Sequence, residues 1–453
     1  MTDATTDSPD AKSASRARRA GALVRRHWPV LVACGLAFAL RAVLIAIIHS
    51  QATSDSLFYV QAAKAIAEGH GYSINGHPTA FFPVGWPAFV AFVFKVTGSE
   101  SFTVVLWAGA VLWTISTALV YVFALRLGGR AAAIVAACVM AVYPDFLFYT
   151  LRGLSEALFI PLLLGMCIAL TPPSGSRLST RRAALAGALL GSAILVRSTA
   201  ALVPLVVAVL LVLAYRDRKA LRTAVVFAFI AYLVVAPWVI RNEVVMKTLA
   251  LSTNGGYTLW LGDNPRATGG NGLKHGPHPR WAISTAAAEV ADNRLRTQRS
   301  LHFIVHHFGQ WAGLIPAKFH YLFRWVPGGL IRSLEQEATD PQAAPRPRPL
   351  TPTEAHLVGD VRRLDPVFRA LNTVWWSLAG IATVAAVVRR RPGAALVAII
   401  VGFWILMHVT VIHGQFRYML SVQPLLMAPL GWAAVAAVAG LWSRLVRVSK
   451  SRA

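Results

Sequence analysis

The chain is short of charge, short of acids and nearly without cysteine. Charged residues make up 14% of its 453 positions, and only 19 are Asp or Glu against 44 Lys and Arg. So little charge beside 56% hydrophobic residues excludes an ordinary soluble domain. The cysteines Cys34, Cys138 and Cys167 all lie inside apolar runs, which excludes a disulfide framework. No H-E-x-x-H or comparable ligand spacing occurs, so no metal site is assigned. His70, His77, His275, His278 and the cluster at 302–307 read as polar loop residues. An inverted internal repeat, common in transporters, is also missing.

What is present is a series of apolar runs long enough to cross a hydrocarbon core. The net charge of +25 is gathered in short runs between them: "RARRAGALVRR", "RLGGR", "RLSTRR", "RDRKALR", "VVRRRP" and "SRLVRVSKSR". That pattern obeys the positive-inside rule and faces an anionic leaflet, so membrane lipids are expected partners and nucleic acid is not. Residues 1–27 read as a disordered basic cytoplasmic tail. A cleaved signal peptide is disfavoured, because the apolar run 29–48 is too long for a signal core and carries Arg41.

The fold class expected is an all-α polytopic membrane protein with about ten spans. They cover 29–48, 102–125, 131–149, 154–170, 183–197, 199–215, 222–240, 367–388, 394–412 and 419–441, with both termini cytoplasmic. The short apolar segment 84–97 carries Lys95 and is expected on the outer surface. A membrane module therefore occupies 28–240, with an exterior loop at 50–101. An extracytoplasmic region covers 241–366, final helices cover 367–441, and a basic tail covers 442–453. Within 183–215 two short crossings hinge at "VRST". Segment 301–325, with four His and Pro316, suits the membrane interface better than a crossing. The stretch 252–281 is turn-rich, and 338–354 is a Pro-rich linker. Trp260 and Trp281 could stack on a sugar or anchor at the interface.

With this threading, the ionisable residues outside the cytoplasmic runs gather at the outer face. Asp55 follows the first span; Asp145, Arg152 and Glu156 bracket the next outer turn; Arg197, Arg241 and Arg417 mark the later ones. Charges beside hydrocarbon are costly and mark a functional cavity. Their collection at one leaflet, not the midplane, favours an enzyme at the outer water–lipid boundary over an alternating-access carrier. Each has a plainer reading. Asp55 could be a helix N-cap, Arg152 and Glu156 a structural i,i+4 pair, and Arg41 and Arg197 snorkelling side chains.

Several stretches carry a resemblance. They are the D-x-x-x-Y of Asp55 and Tyr59, then "AIAEGHGY", "PTAFFPVGWPAF", "YPDFLFYTLRGLSEALF", "GALLGSAILVRSTAALVPL", "PWVIRNEVVMKTLALSTNGGYTLWLGDNP" and "QFRYMLSVQPLL". In this order they resemble integral-membrane glycosyltransferases of the GT-C fold, in the branch of protein O-mannosyltransferases and aminoarabinose transferases. The resemblance implies a sugar donor linked to polyprenyl phosphate and work on the extracytoplasmic face of a bacterial plasma membrane. Glycan, lipid or protein would be the acceptor. It implies Asp55 as the base in an inverting transfer. Arg241 and Arg417 would hold the donor phosphate, a task a divalent cation could share, while Tyr59, Arg152, Glu156 and Arg197 would bind substrate. Many relatives carry a second acid where Ser56 stands here. The competing expectations are a flippase for a lipid-linked sugar and an envelope polysaccharide ligase or polymerase.

Overall fold

The computed structural model of the protein describes residues 9–173, 176–274, 285–324, 331, 334 and 349–452. Trp281, His275, His278 and most of the Pro-rich stretch 338–354 lie outside them. Among the described residues, regular structure is helical apart from one isolated bridge and a small hairpin. In the hairpin, β1 (Ser73–Ile74) pairs antiparallel with β2 (His77–Pro78). Asn75 and Gly76 turn it with φ of 51° and 78°, the left-handed pair that an Asn-Gly hairpin turn requires.

Helix α1 (Pro9–Ile47) corrects the expectation of a disordered tail, because it starts well inside 1–27. The Ala, Lys and Arg there are good helix formers that extend the first span backward. Helices α2 (Asp55–Ala67) and α3 (Gly85–Thr97) occupy the loop after the first apolar helix and pack on each other. Gly85 lies so close to the Leu195 carbonyl that a side chain there would collide with it.

The spans expected at 102–125 and 131–149 fall largely on one element, α4 (Phe102–Val142), broken at Gly129 (φ 81°, ψ −173°). Unbroken, it would reach about 60 Å. Instead Phe146, just beyond its end, packs on Trp113 at 5.3 Å between ring centres, and Gly153 faces Phe102. The chain therefore doubles back at Gly129, and the second crossing is completed by α5 (Pro144–Thr150).

Next come α6 (Glu156–Leu170), α7 (Thr180–Val196), α8 (Val203–Tyr215) and α9 (Arg218–Met246). The hinge at "VRST" is a real break, with Arg197 extended (φ −142°, ψ 106°) between α7 and α8. Gly187 and Gly191, four apart on α7, let α9 approach until any Cβ would strike the carbonyls of Phe227 and Ala231.

Between α9 and the last apolar helices come α10 (Gly255–Gly262), α11 (Ala286–His306), α12 (Phe308–Phe323) and α13 (Pro352–Arg363). After them come α14 (Asp365–Val388), α15 (Ala394–Thr410), the short α16 (Phe416–Leu420) and α17 (Gln423–Arg452). Among the described residues, five helices are long and apolar enough to cross a bilayer: His27–Ile47, Phe102–Val142, Arg218–Met246, Asp365–Val388 and Gln423–Arg444. Shorter apolar helices stand beside them, including α3, α6 and α15. Val209, Phe229, Ile381 and Val438 are exposed on their outer faces, as a lipid-facing surface demands.

Helix α6 gives the bundle its polarity. At its C-terminus Arg126 donates to the carbonyls of Ile168 and Thr171, and Arg182 to those of Ala169 and Ile168. Two cations thus satisfy carbonyls that lack helical partners, at the negative end of the dipole. Glu156 opens the other end, about 22 Å away along the axis.

Candidate active site

Asp55 is the first residue of α2 and not its N-cap. Ser54 holds the cap position, with φ of 49° and no side-chain cap bond. The Asp55 carboxylate turns to a cation instead, accepting from Arg417 Nη1 at 2.5 Å. The N-terminal end of α2 favours that negative charge as well. Ser56 is buried and closes the preceding turn, donating to the Thr53 carbonyl (2.8 Å) and accepting from the Thr53 amide (2.9 Å). The hydroxyl therefore has a structural task.

Glu156 is 1% exposed and fully engaged. Its Oε1 accepts from Arg417 Nε (2.6 Å) and Arg197 Nη1 (2.8 Å), and its Oε2 from Arg417 Nη2 (3.3 Å). The break after α7 is what aims Arg197 at this carboxylate; its guanidinium also lies over the Phe159 ring, 6.0 Å from the centre. Arg417 rides on α16, a single short helix fixed from behind. Trp404 Nε1 donates to the Tyr418 carbonyl (2.9 Å), and the Tyr418 hydroxyl pairs with His413 Nε2 (3.1 Å).

Residues distant in sequence thus meet at one end of the bundle, and Arg417 is their hub. Burial alone would lower its pKa; the carboxylates of Glu156 and Asp55 reverse that and hold the guanidinium well above its usual value. Tyr59, one turn along α2 from Asp55, is buried against Phe82. Burial, and then the Asp55 charge, push its hydroxyl well above the ordinary range, so it stays a neutral donor. Arg152 lies within the electrostatic reach of Arg417, Asp55 and Glu156, and burial lowers its pKa.

Arg241 is not part of this assembly. Its Nη1 donates to the Thr79 carbonyl (2.8 Å) and its Nη2 to the Tyr72 carbonyl (3.0 Å), with the guanidinium 5.0 Å from the Trp238 ring centre. It fastens the loop between α2 and α3. Glu289 on α11 does the same, accepting from Thr79 Oγ1 (2.6 Å), the Ala80 amide (2.9 Å) and Thr253 Oγ1. Trp260 carries guanidinium groups of Arg266 and Arg296 over its ring, at 5.4 and 5.6 Å, in place of an open face for a sugar.

The main feature not anticipated is a pair with no solvent exposure. Lys318 Nζ on α12 donates to Asp263 Oδ1 at 2.7 Å, both side chains 0% exposed. The only hint in the sequence is a lysine inside the apolar "LIPAKFHYLF".

The residues present do not fit a divalent cation. Such an ion needs several oxygen or imidazole ligands converging on one point. Among the described residues no group of three His, Cys, Asp or Glu converges, and the guanidinium of Arg417 stands between the two carboxylates.

Residues 81–240 match the family model of dolichyl-phosphate-mannose-protein mannosyltransferases. No curated protein gives a significant match. Among solved structures, an oligosaccharyltransferase from Archaeoglobus fulgidus in complex with zinc and sulfate is 14% identical. The alignment covers 93% of this chain and 51% of that one, with a TM-score of 0.51. The Archaeoglobus fulgidus oligosaccharyltransferase AglB, with an inhibitory peptide and a dolichol-phosphate, is 15% identical at a TM-score of 0.49, covering 94% and 52%. ArnT from Cupriavidus metallidurans bound to undecaprenyl phosphate is 13% identical at 0.41, covering 89% and 76%. The chain spans about half the length of the archaeal enzymes it matches.

Proposed function

We propose that this chain, a multi-pass membrane protein with the GT-C glycosyltransferase fold, moves a sugar from a polyprenyl-phosphate donor to an acceptor hydroxyl. The observation that carries the reading is the linked cluster of Asp55, Arg417, Glu156 and Arg197, at the end of the bundle opposite Arg126 and Arg182. Under the positive-inside rule that end is extracytoplasmic, with both termini in the cytoplasm of a bacterial cell. The matched family model supports a lipid-monophosphate donor. Glycan, lipid and protein hydroxyls all remain within reach of the site as acceptors.

The chemistry needs one base and one anion stabiliser. The acceptor oxygen attacks the anomeric carbon while Asp55 takes its proton. The bond from that carbon to the phosphate oxygen breaks, and the phosphate leaves with the electron pair. Arg417 receives the developing charge with N–H groups already fixed in place. Asp55 is 22% exposed and Arg417 14%, so both can exchange their mutual contact for substrate. Attack opposite to the departing phosphate inverts the anomeric carbon. Glu156 and Arg197 hold Arg417 in position, and Tyr59 and Arg152 border the cluster.

The test is transfer in purified membranes from a panel of radiolabelled polyprenyl-phosphate sugars, with wild type beside Asp55→Asn. Transfer by the wild type that falls at least about a hundredfold in a normally folded variant supports the assignment. Equal transfer by both would remove Asp55 as the base.

A further inference from the structure

The relation between Arg417 and its two carboxylates has a consequence for this same site, and it rests on the transfer reading above. We infer that Arg417 stands in for a divalent cation, and that this chain binds its donor phosphate and transfers the sugar without a metal.

Three observations carry this. First, the guanidinium holds a bridging position: Nη1 meets Asp55 Oδ2 at 2.5 Å, while Nε and Nη2 meet the two Glu156 oxygens at 2.6 and 3.3 Å. A cation joining these acids would have to displace it from all three contacts. Glu156 Oε1 is claimed again by Arg197 at 2.8 Å, leaving it little capacity as a ligand. Second, the donor set is incomplete. Ser56, the nearest polar side chain on α2, is buried in its own turn with Thr53. No third acid, histidine or cysteine joins the pair among the described residues.

Third, Arg417 already supplies fixed positive charge at the place where a donor phosphate would meet Asp55. A guanidinium fork also presents paired N–H groups to phosphate oxygens, the contact an ion would otherwise make.

The test uses the full chain in lipid nanodiscs and reads Mn²⁺ binding by electron paramagnetic resonance, which does not depend on activity. Wild type is compared with Arg417→Met, which keeps both carboxylates and removes the guanidinium, and with the gentler Arg417→Lys. Transfer from a polyprenyl-phosphate sugar is measured in parallel with EDTA and with added Mn²⁺. The expected result is no stoichiometric Mn²⁺ in the wild type, wild-type transfer unchanged by EDTA, and transfer lost in folded Arg417→Met and not restored by Mn²⁺. Stoichiometric Mn²⁺ in the wild type that Asp55→Asn abolishes would overturn the inference. So would transfer that EDTA stops and Mn²⁺ restores, or Mn²⁺ that restores transfer to Arg417→Met. If Arg417→Met does not fold, Arg417→Lys serves in its place. Should no donor support transfer, the transferase reading fails while the Mn²⁺ measurement still decides this one.

Discussion

Asp263–Lys318 and Asp55–Arg417 are both close contacts between a carboxylate and a cation, at 2.7 and 2.5 Å, outside the cytoplasmic runs. They differ in what surrounds them. The first is one acid and one base, sealed at 0% exposure between α12 and the loop after α10. Gly262 and Gly414 press against backbone carbonyls beside it, so nothing larger fits. The second is part of a wider network with Glu156 and Arg197, and its two members keep 22% and 14% of their side-chain surface. A closed pair has nothing to offer a ligand, and only its loss is felt. An open network can exchange one of its contacts for an anion. Burial of charge alone does not mark an active site; a shared cation that solvent still reaches is the more useful sign.

That contrast can be broken in the laboratory. Lys318→Met should destabilise the protein by about 3–5 kcal/mol, because Asp263 is left buried and unpaired. Adding Asp263→Leu should recover most of the loss, and transfer per folded molecule should survive in the double variant. Thermal unfolding in detergent beside a transfer assay checks both. Asp55→Asn is expected to do the reverse, lowering transfer by at least about a hundredfold, equivalent to about 2.7 kcal/mol of barrier, with little change in unfolding temperature. A large loss of stability instead would move Asp55 to the structural side of the comparison.

Arg241→Ala should cost about 1–3 kcal/mol of stability, since it frees the carbonyls of Tyr72 and Thr79, and should leave the KM for donor nearly unchanged. A raised KM without destabilisation would return Arg241 to the phosphate site. The smallest effect is expected from Tyr59→Phe. Its packing against Phe82 is kept, so stability should shift by less than about 1 kcal/mol, and any fall in kcat would reveal a bond to substrate.

Much of this arrangement is legible in the sequence, for a physical reason. In a chain with 19 acids, a charge placed at the end of an apolar segment carries a cost that only function or pairing offsets. That criterion finds Asp55, Glu156, Arg197 and Arg417, which the fold brings together. It also finds Arg241, and there it cannot discriminate, because the partners are the carbonyls of residues 72 and 79. A backbone acceptor has no letter in the sequence. Asp263 and Lys318 escape for a different reason. One sits in a turn-rich stretch and the other in an aromatic helix, and each looks tolerable until α12 is packed. The helices themselves follow hydropathy closely. Gly129 breaks α4 within the basic turn between the two expected spans; the exception is the N-terminal segment, where helix propensity extends α1 beyond the hydrophobic pattern.

The position of Arg417 in the chain sets an order of assembly. Helices enter the bilayer as they are synthesised, so Asp55 and Glu156 arrive long before α16. Arg197 can neutralise Glu156 early, since α7 follows α6 directly. Asp55 has to wait for a partner that lies 362 residues further along. Until α15 and α16 are in place, Asp55 lacks the guanidinium it meets in the finished fold. This carboxylate is therefore among the last groups to find its partner as the chain is made.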